Sequence, residues 1–315
     1  QSYIRASDGH SIVTTLDVYV QSVLEEQLST AYIESGGQSR ACGIVIDVET
    51  GGILGMATYP SFDLNDPRTL NADSQSKLNA SGYAAGTEAY LKLKQELQLT
   101  TWANKSITEA YMPGSTFKIV TASMAYEENL VSAGETFYCP GYFKVGGRTI
   151  HCHKIAGHGS LTFAQGLQQS CNPILMMMGL RIGQERFYNY FRSFGYLEKT
   201  GVDLPGEGVS IFYKPENFKE IDLATASFGQ NFKITPLQQI MAVTTVASGG
   251  YLLTPHLLKE ELDSNGNVVK SYETNVRRQV ISTDTATQLA KILEEGVSGN
   301  GGAKNAYVAG YRVAA

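Results

Sequence analysis

Pro113-Gly114-Ser115-Thr116-Phe117-Lys118 is the stretch on which the reading of this sequence turns. Pro and Gly enforce a turn, and the apolar run that follows, to Asn129, has helical character. Ser115 is therefore expected at a helix N-terminus, where unpaired backbone N–H groups and the helix dipole favour developing negative charge. Lys118 lies three residues on, so its amine falls on the same helical face. A serine hydroxyl is a weak nucleophile without a base. A lysine can be that base only where burial or a positive neighbour keeps it neutral near pH 7. The bland alternative is a helix cap beside a surface lysine. Ser74-Gln75-Ser76-Lys77 satisfies the same S-x-x-K spacing in a polar stretch, where a solvated helix surface is expected.

Working outward, Ser11 to Asp17 reads as a short strand ending at a helix cap, with Val20, Val23, Leu24 and Leu28 at helical spacing beyond it. Ala41–Asp47 and Gly52–Tyr59 are apolar runs joined by a turn, which predicts a β-hairpin. Pro60 to Thr100 is polar, with short helices expected. Leu161 to Ile182 reads as a single helix. Thr235-Pro236 caps a helix that stops at Gly249-Gly250. Tyr251–Asp263 reads as extended, Asp284–Val297 as a helix and Tyr307–Val313 as a strand. Strands near both ends with helices between them predict an α/β or α+β domain rather than an alternating βαβ array.

Composition narrows the function classes. Of 315 residues, 43% are hydrophobic and 17% charged, enough for a sizeable core and incompatible with a disordered chain. Lys plus Arg number 25 against 30 Asp plus Glu, a net charge of −5, so nothing favours nucleic acid as a partner. No apolar run reaches membrane-spanning length. The chain opens on Gln1-Ser2-Tyr3 without an initiator Met, which reads as a processed or excised fragment.

Ser170-Cys171-Asn172-Pro173 is a second element of interest. Taken alone, Ser170 and Asn172 are ordinary turn chemistry before a proline, and Ser298-Gly299-Asn300 repeats the spacing. Order and separation from Ser115 and Lys118 add weight. Cysteine and histidine are also concentrated: Cys139, His151, Cys152, His153 and His158 account for two of four Cys and three of five His. Two thiolates with imidazoles suit tetrahedral zinc. In an extended segment His151 and His153 point away from Cys152. That leaves Cys139 and His158 as its partners, with His153 or a remote carboxylate as the fourth ligand. A Cys139–Cys152 disulfide and two free thiols are the competing readings. Zinc here would be structural. Cys171 reads as a small buried hydrophobe facing away from its neighbours' side, and Met176, Met177 and Met178 as core.

With these residues in place, the sequence resembles the transpeptidase domain of class B (monofunctional) penicillin-binding proteins, whose S-x-x-K, Ser-x-Asn and Lys-Thr-Gly motifs form one site. Asn104-Lys105 and Tyr111 to Lys118 look like the family's nucleophile segment, Gly43 to Ala57 with Pro60 and Phe62-Asp63 like its opening hairpin, and Ser170 to Pro173 like its second motif. Gly201 to Glu207, and Ser227-Phe228-Gly229-Gln230 through Thr235-Pro236-Leu237-Gln238, look like its middle stretches. The resemblance runs from about residue 11 to the end, nearest in appearance to sporulation and division members from Gram-positive bacteria.

It implies a central antiparallel sheet flanked by helices, and residues 1–315 as one transpeptidase domain, incomplete at its C-terminus. The third motif should follow Tyr307–Val313, whereas the sequence ends at Ala315; Lys199-Thr200-Gly201 sits at a helix-to-loop exit and is rejected as that motif. The last strands, the C-terminal helix, an N-terminal membrane anchor and a pedestal module are expected to lie outside the sequence. The resemblance further implies an extracytoplasmic D,D-transpeptidase of peptidoglycan stem peptides, inhibited by β-lactams, working with a glycosyltransferase and needing no cofactor for catalysis. Its implied site is Ser115, Lys118, Ser170 and Asn172, with one oxyanion donor from Ser115 and the other in the missing strand. Hydrolytic relatives (D,D-carboxypeptidase, serine β-lactamase) share the motifs, and a non-catalytic β-lactam-binding or scaffolding module is the alternative of another class.

Overall fold

Side-chain caps fix most helix starts. Asp17 accepts the Val20 N–H at 2.9 Å, and Thr235 and Gln238 cap each other reciprocally. The computed structural model describes residues 9–37, 40–299 and 301–315; Gln1 to Tyr3 and Asn300 of the second Ser-x-Asn match lie outside them. In chain order the elements are β1 (Ser11–Thr14), α1 (Val18–Glu34), β2 (Ala41–Ile46), β3 (Ile53–Tyr59), α2 (Ala72–Ala80), α3 (Glu88–Trp102) and α4 (Lys105–Thr108). A 3₁₀ turn, Gly114–Phe117, runs directly into α5 (Lys118–Glu127). Then come β4 (Thr136–Cys139), β5 (Tyr142–Val145), β6 (Arg148–His151), β7 (Gly159–Thr162), α6 (Phe163–Gln168), α7 (Asn172–Ile182) and α8 (Gln184–Ser193). The chain ends with α9 (Glu220–Ala226), α10 (Pro236–Ala247), β8 (Tyr251–Leu253), β9 (Leu258–Leu262), β10 (Val268–Ser271), β11 (Val276–Gln279) and α11 (Thr283–Ser298).

The mixed, antiparallel architecture is the one expected. Its strands are distributed over a three-stranded sheet, β1-β9-β10, and the pairs β2-β3, β8-β11, β4-β7 and β5-β6. The predicted hairpin forms with Ala41 opposite Tyr59. One apolar cluster, with Ile53, Ile107, Leu237 and Leu253, sits between this hairpin and α10. The larger one gathers α5, α7, α8 and α11 around Phe117.

Three expectations are corrected. Leu161–Ile182 is not one helix: β7 and α6 precede a break at Gln169–Cys171, and α7 restarts at Asn172. Ser170, at φ 50°, ends α6 with the Ser170 N–H on Leu167 O and the Cys171 N–H on Gly166 O, both at 2.8 Å. That pair of bonds is a Schellman closure, whose left-handed position is usually glycine. Strands do not cluster only near the ends, since β4 to β7 fall mid-chain. Tyr307–Val313 is not a strand: Gly310 takes φ 86°, Tyr311 N–H turns back to Val308 O, and Arg312 forks onto Glu294. A strand needs a neighbouring edge to bond, and none pairs with this segment among the described residues.

Candidate active site

The nucleophile turn is built from the core outward. Phe117 is fully buried, with ring centroids 4.9 Å from Phe232, 5.5 Å from Tyr196, 5.9 Å from Phe187 and 6.0 Å from Phe191. Two residues earlier, helical phase turns Ser115 outward, where it is exposed. The backbone is pinned from behind by Gly229, whose carbonyl accepts the Gly114 N–H at 2.9 Å. Gly229 has φ 83°, and a Cβ there would stand 2.0 Å from Gly114 O, so only glycine fits.

Lys118 lies inward, 1% exposed. Its Nζ is 2.6 Å from Ser170 O, 2.9 Å from Ser170 Oγ and 2.7 Å from Asn172 Oδ1. Burial lowers its pKa to about 8, although the thiols of Cys152 and Cys171 push the other way. An ammonium can donate all three contacts. A neutral amine has two N–H bonds and a lone pair, so the Ser170 hydroxyl then reverses and donates to Nζ. The left-handed Ser170 aims its hydroxyl at the amine, at a backbone cost of roughly 1–2 kcal/mol. A cleft of about 580 Å³ is lined by Ser115, Lys118, Ser170, Asn172 and His153 among others.

The sequence's four candidate residues thus meet at one cleft, and its decoys do not. Ser74 is buried against Thr101, a departure from the solvated surface expected, while Lys77 pairs with Asp73. The N–H groups of Thr200 and Gly201 bind the Glu207 carboxylate.

The model of the penicillin-binding protein transpeptidase domain matches residues 41–315. The chain belongs to this family. Stage V sporulation protein D of Bacillus subtilis is 34% identical over 99% of this chain and 44% of its own length. Peptidoglycan D,D-transpeptidase MrdA of Escherichia coli is 27% identical over 82% of this chain and 39% of its own. The D,D-transpeptidase domain of a peptidoglycan glycosyltransferase from Eggerthella lenta superimposes with a TM-score of 0.81 at 26% identity, covering 98% of this chain and 71% of that one. Penicillin-binding protein 3 of Mycobacterium tuberculosis, solved with ampicillin, gives 0.76 at 26% identity, covering 94% and 60%. The chain therefore spans less than half of the curated relatives it matches.

Behind the second motif of this transpeptidase domain lies the cysteine and histidine cluster. The ligand atoms of Cys139, Cys152, His158 and Cys171 all lie within 4.8 Å of one another, and Cys152 Sγ is 3.6 Å from His158 Nδ1. The fourth residue of this mutual set is Cys171, and not His153. Asn172 and Ser170 turn to the cleft, so the residue between them turns to the rear. His153 approaches Cys152 at 3.8 Å but lies on the cleft side, outside the mutual set. All four cysteines are free thiols, so the Cys139–Cys152 disulfide is not formed. Burial raises the Cys139 thiol, but the N–H groups of His158 and Gly141 and the Cys171 and Cys152 thiols bring it below its ordinary value. Burial pushes Cys171 up. Gly157, at φ 82°, closes the loop; a Cβ there would meet Cys139 O at 2.4 Å. The signal the sequence held for Cys171 was its position as a third thiol next to the second motif.

Proposed function

We propose that the protein containing this domain is a peptidoglycan D,D-transpeptidase acting through an acyl-enzyme on Ser115. The reading rests most on one observation: the buried Lys118 amine joins Ser170 and Asn172 at the cleft that Ser115 lines. Neutral Lys118 takes the Ser115 proton as Oγ attacks the penultimate D-alanine carbonyl. Ser170 passes a proton to the departing D-alanine nitrogen. An acceptor amine then attacks the ester, and the Ser115 oxygen leaves with its proton restored. Asn172 holds Lys118 and the substrate's side amide, and the Ser115 N–H, in the first helical turn, supports the oxyanion. β-Lactams trap the same hydroxyl. The protein works outside the cytoplasm, held by an anchor beyond this sequence, beside a glycosyltransferase; among the described residues no helix is long and apolar enough to cross a membrane.

Cys139, Cys152, His158 and Cys171 are proposed to hold a structural zinc. Tetrahedral Zn–S and Zn–N bonds of about 2.0–2.3 Å put ligand atoms about 3.3–3.8 Å apart, a small contraction from the present set. The metal would fasten β4, the segment after β6 and the second motif together, and no catalytic step passes through it.

Mass spectrometry of the full-length protein after penicillin treatment tests the function. One acyl adduct on the peptide containing Ser115, lost in Ser115→Ala, is expected. An adduct that survives the substitution, or none at all, overturns it.

A further inference from the structure

Between Glu135 and Glu185 the sequence has no Asp or Glu, in a chain whose net charge is −5. The stretch carries Lys144, Arg148, Lys154 and Arg181, and it contains the second motif. Arg181 is spent on Glu135, whereas Lys144 and Lys154 are exposed and form no ion pair among the described residues. No Asp or Glu is among the described residues that line the cleft.

The β5–β6 hairpin gives part of this charge a direction. Its register sets Tyr142 opposite His151 and Lys144 opposite Thr149, so alternation puts all four on one face. That face is exposed, while Val145 is buried behind it. Lys144 Nζ lies 6.0 Å from the Tyr142 ring centroid, and the Tyr142 and His151 rings are 6.5 Å apart. The row ends at the cleft: the Asn172 side-chain amide lies 3.5 Å from the His151 carbonyl. His153 lines the cleft, and Lys154, the next residue in the chain, is exposed.

We infer that the Tyr142–Lys144–His151 face, with Lys154, is the docking surface for the acceptor strand, a stem peptide bearing free carboxylates. This rests on the transpeptidase reading and adds a specificity surface to it. The face is continuous with Asn172, so a peptide lying along it delivers its amine to an ester on Ser115. Its flat aromatic and unpaired ammonium groups suit a chain with carboxylates and little apolar bulk. Chemistry on the donor alone does not need it.

The test uses the full-length protein, a donor peptide ending in D-Ala-D-Ala, and two acceptors: a stem peptide with free carboxylates and the same peptide amidated. The unaltered protein is expected to prefer the free-carboxylate acceptor about five- to tenfold at low salt, with the preference fading as salt rises. Lys144→Glu/Lys154→Glu should remove that preference and divert the acyl-enzyme to hydrolysis, with penicillin acylation unchanged. Lys144→Arg/Lys154→Arg should retain it. Equal use of both acceptors by the unaltered protein overturns the inference, whatever the variants do. So does a reversal variant that acylates normally and keeps the preference. Loss of the Ser115 adduct itself would instead remove the underlying function.

Discussion

The two walls that meet at the cleft are held by different physics. Ser115 is carried on a turn whose neighbour Phe117 is sunk among aromatic rings, so burial and dispersion fix it. Ser170 and Asn172 are carried on a left-handed break between two helices, and beside the aliphatic core under Ile174 and Leu175 this break is backed by three thiols and an imidazole. The first support tolerates no polar substitution. With the proposed zinc bound, the second would be chemically switchable, because thiolates and imidazole bind a metal only when deprotonated.

The contrast can be broken at either wall. Phe117→Ala should cost about 3–5 kcal/mol of unfolding free energy, read by denaturant titration, since a large ring leaves a fully buried site. Loss of little more than 1 kcal/mol would refute the anchoring role. Protein purified without added metal should hold about one zinc per chain. Chelation should then lower stability by up to about 4 kcal/mol if zinc was present near 1,000 times its Kd. Cys171→Ser should reduce zinc content while leaving Phe117 packing intact; protein with intact thiols and no zinc would reject the metal.

Acylation sharpens the comparison through Lys118, which touches both walls. Its pKa falls from 10.5 to about 8 on burial, so the neutral base is lost as pH drops. The acylation rate constant should fall about tenfold per pH unit well below 8 and level off above it. A flat profile from pH 6 to 8 would exclude Lys118 as the base. The sign for stability is separate: between about 8 and 10.5 the unfolded chain binds this proton and the folded one does not, so this group makes stability rise with pH across that window. The smallest effect is expected at Ser170→Gly, which relieves the left-handed strain by roughly 1 kcal/mol. It should nonetheless slow acylation, read by labelled penicillin, because the hydroxyl on Lys118 is gone.

The first wall was legible in the sequence and the second only in part. Pro113-Gly114, the apolar run after Ser115 and the Thr235 cap are local signals with local mechanisms, and they formed where expected. The break at Ser170 carried only an ambiguous signal, turn chemistry before Pro173 set inside a helical pattern. Leu161 to Ile182 keeps its apolar spacing through it, the left-handed residue is not glycine, and Pro173 suits an early helical position as well as a turn. Cys171 is buried and faces away from Ser170 and Asn172 as expected, and its closeness to Cys139, Cys152 and His158 is a long-range contact that no local pattern encodes. The Tyr307–Val313 error is of another kind, since strand propensity is only realised against a partner edge.

Ser115 and Phe117 share one half-turn, and this constrains how such a protein can change over generations. If Ser115 is the acylated residue as proposed, tilting its hydroxyl away from a β-lactam would require five packed rings to rearrange together. On that proposal, heritable adjustments of drug response would have most freedom across the cleft and along its rim, where single substitutions alter a contact without disturbing the interior.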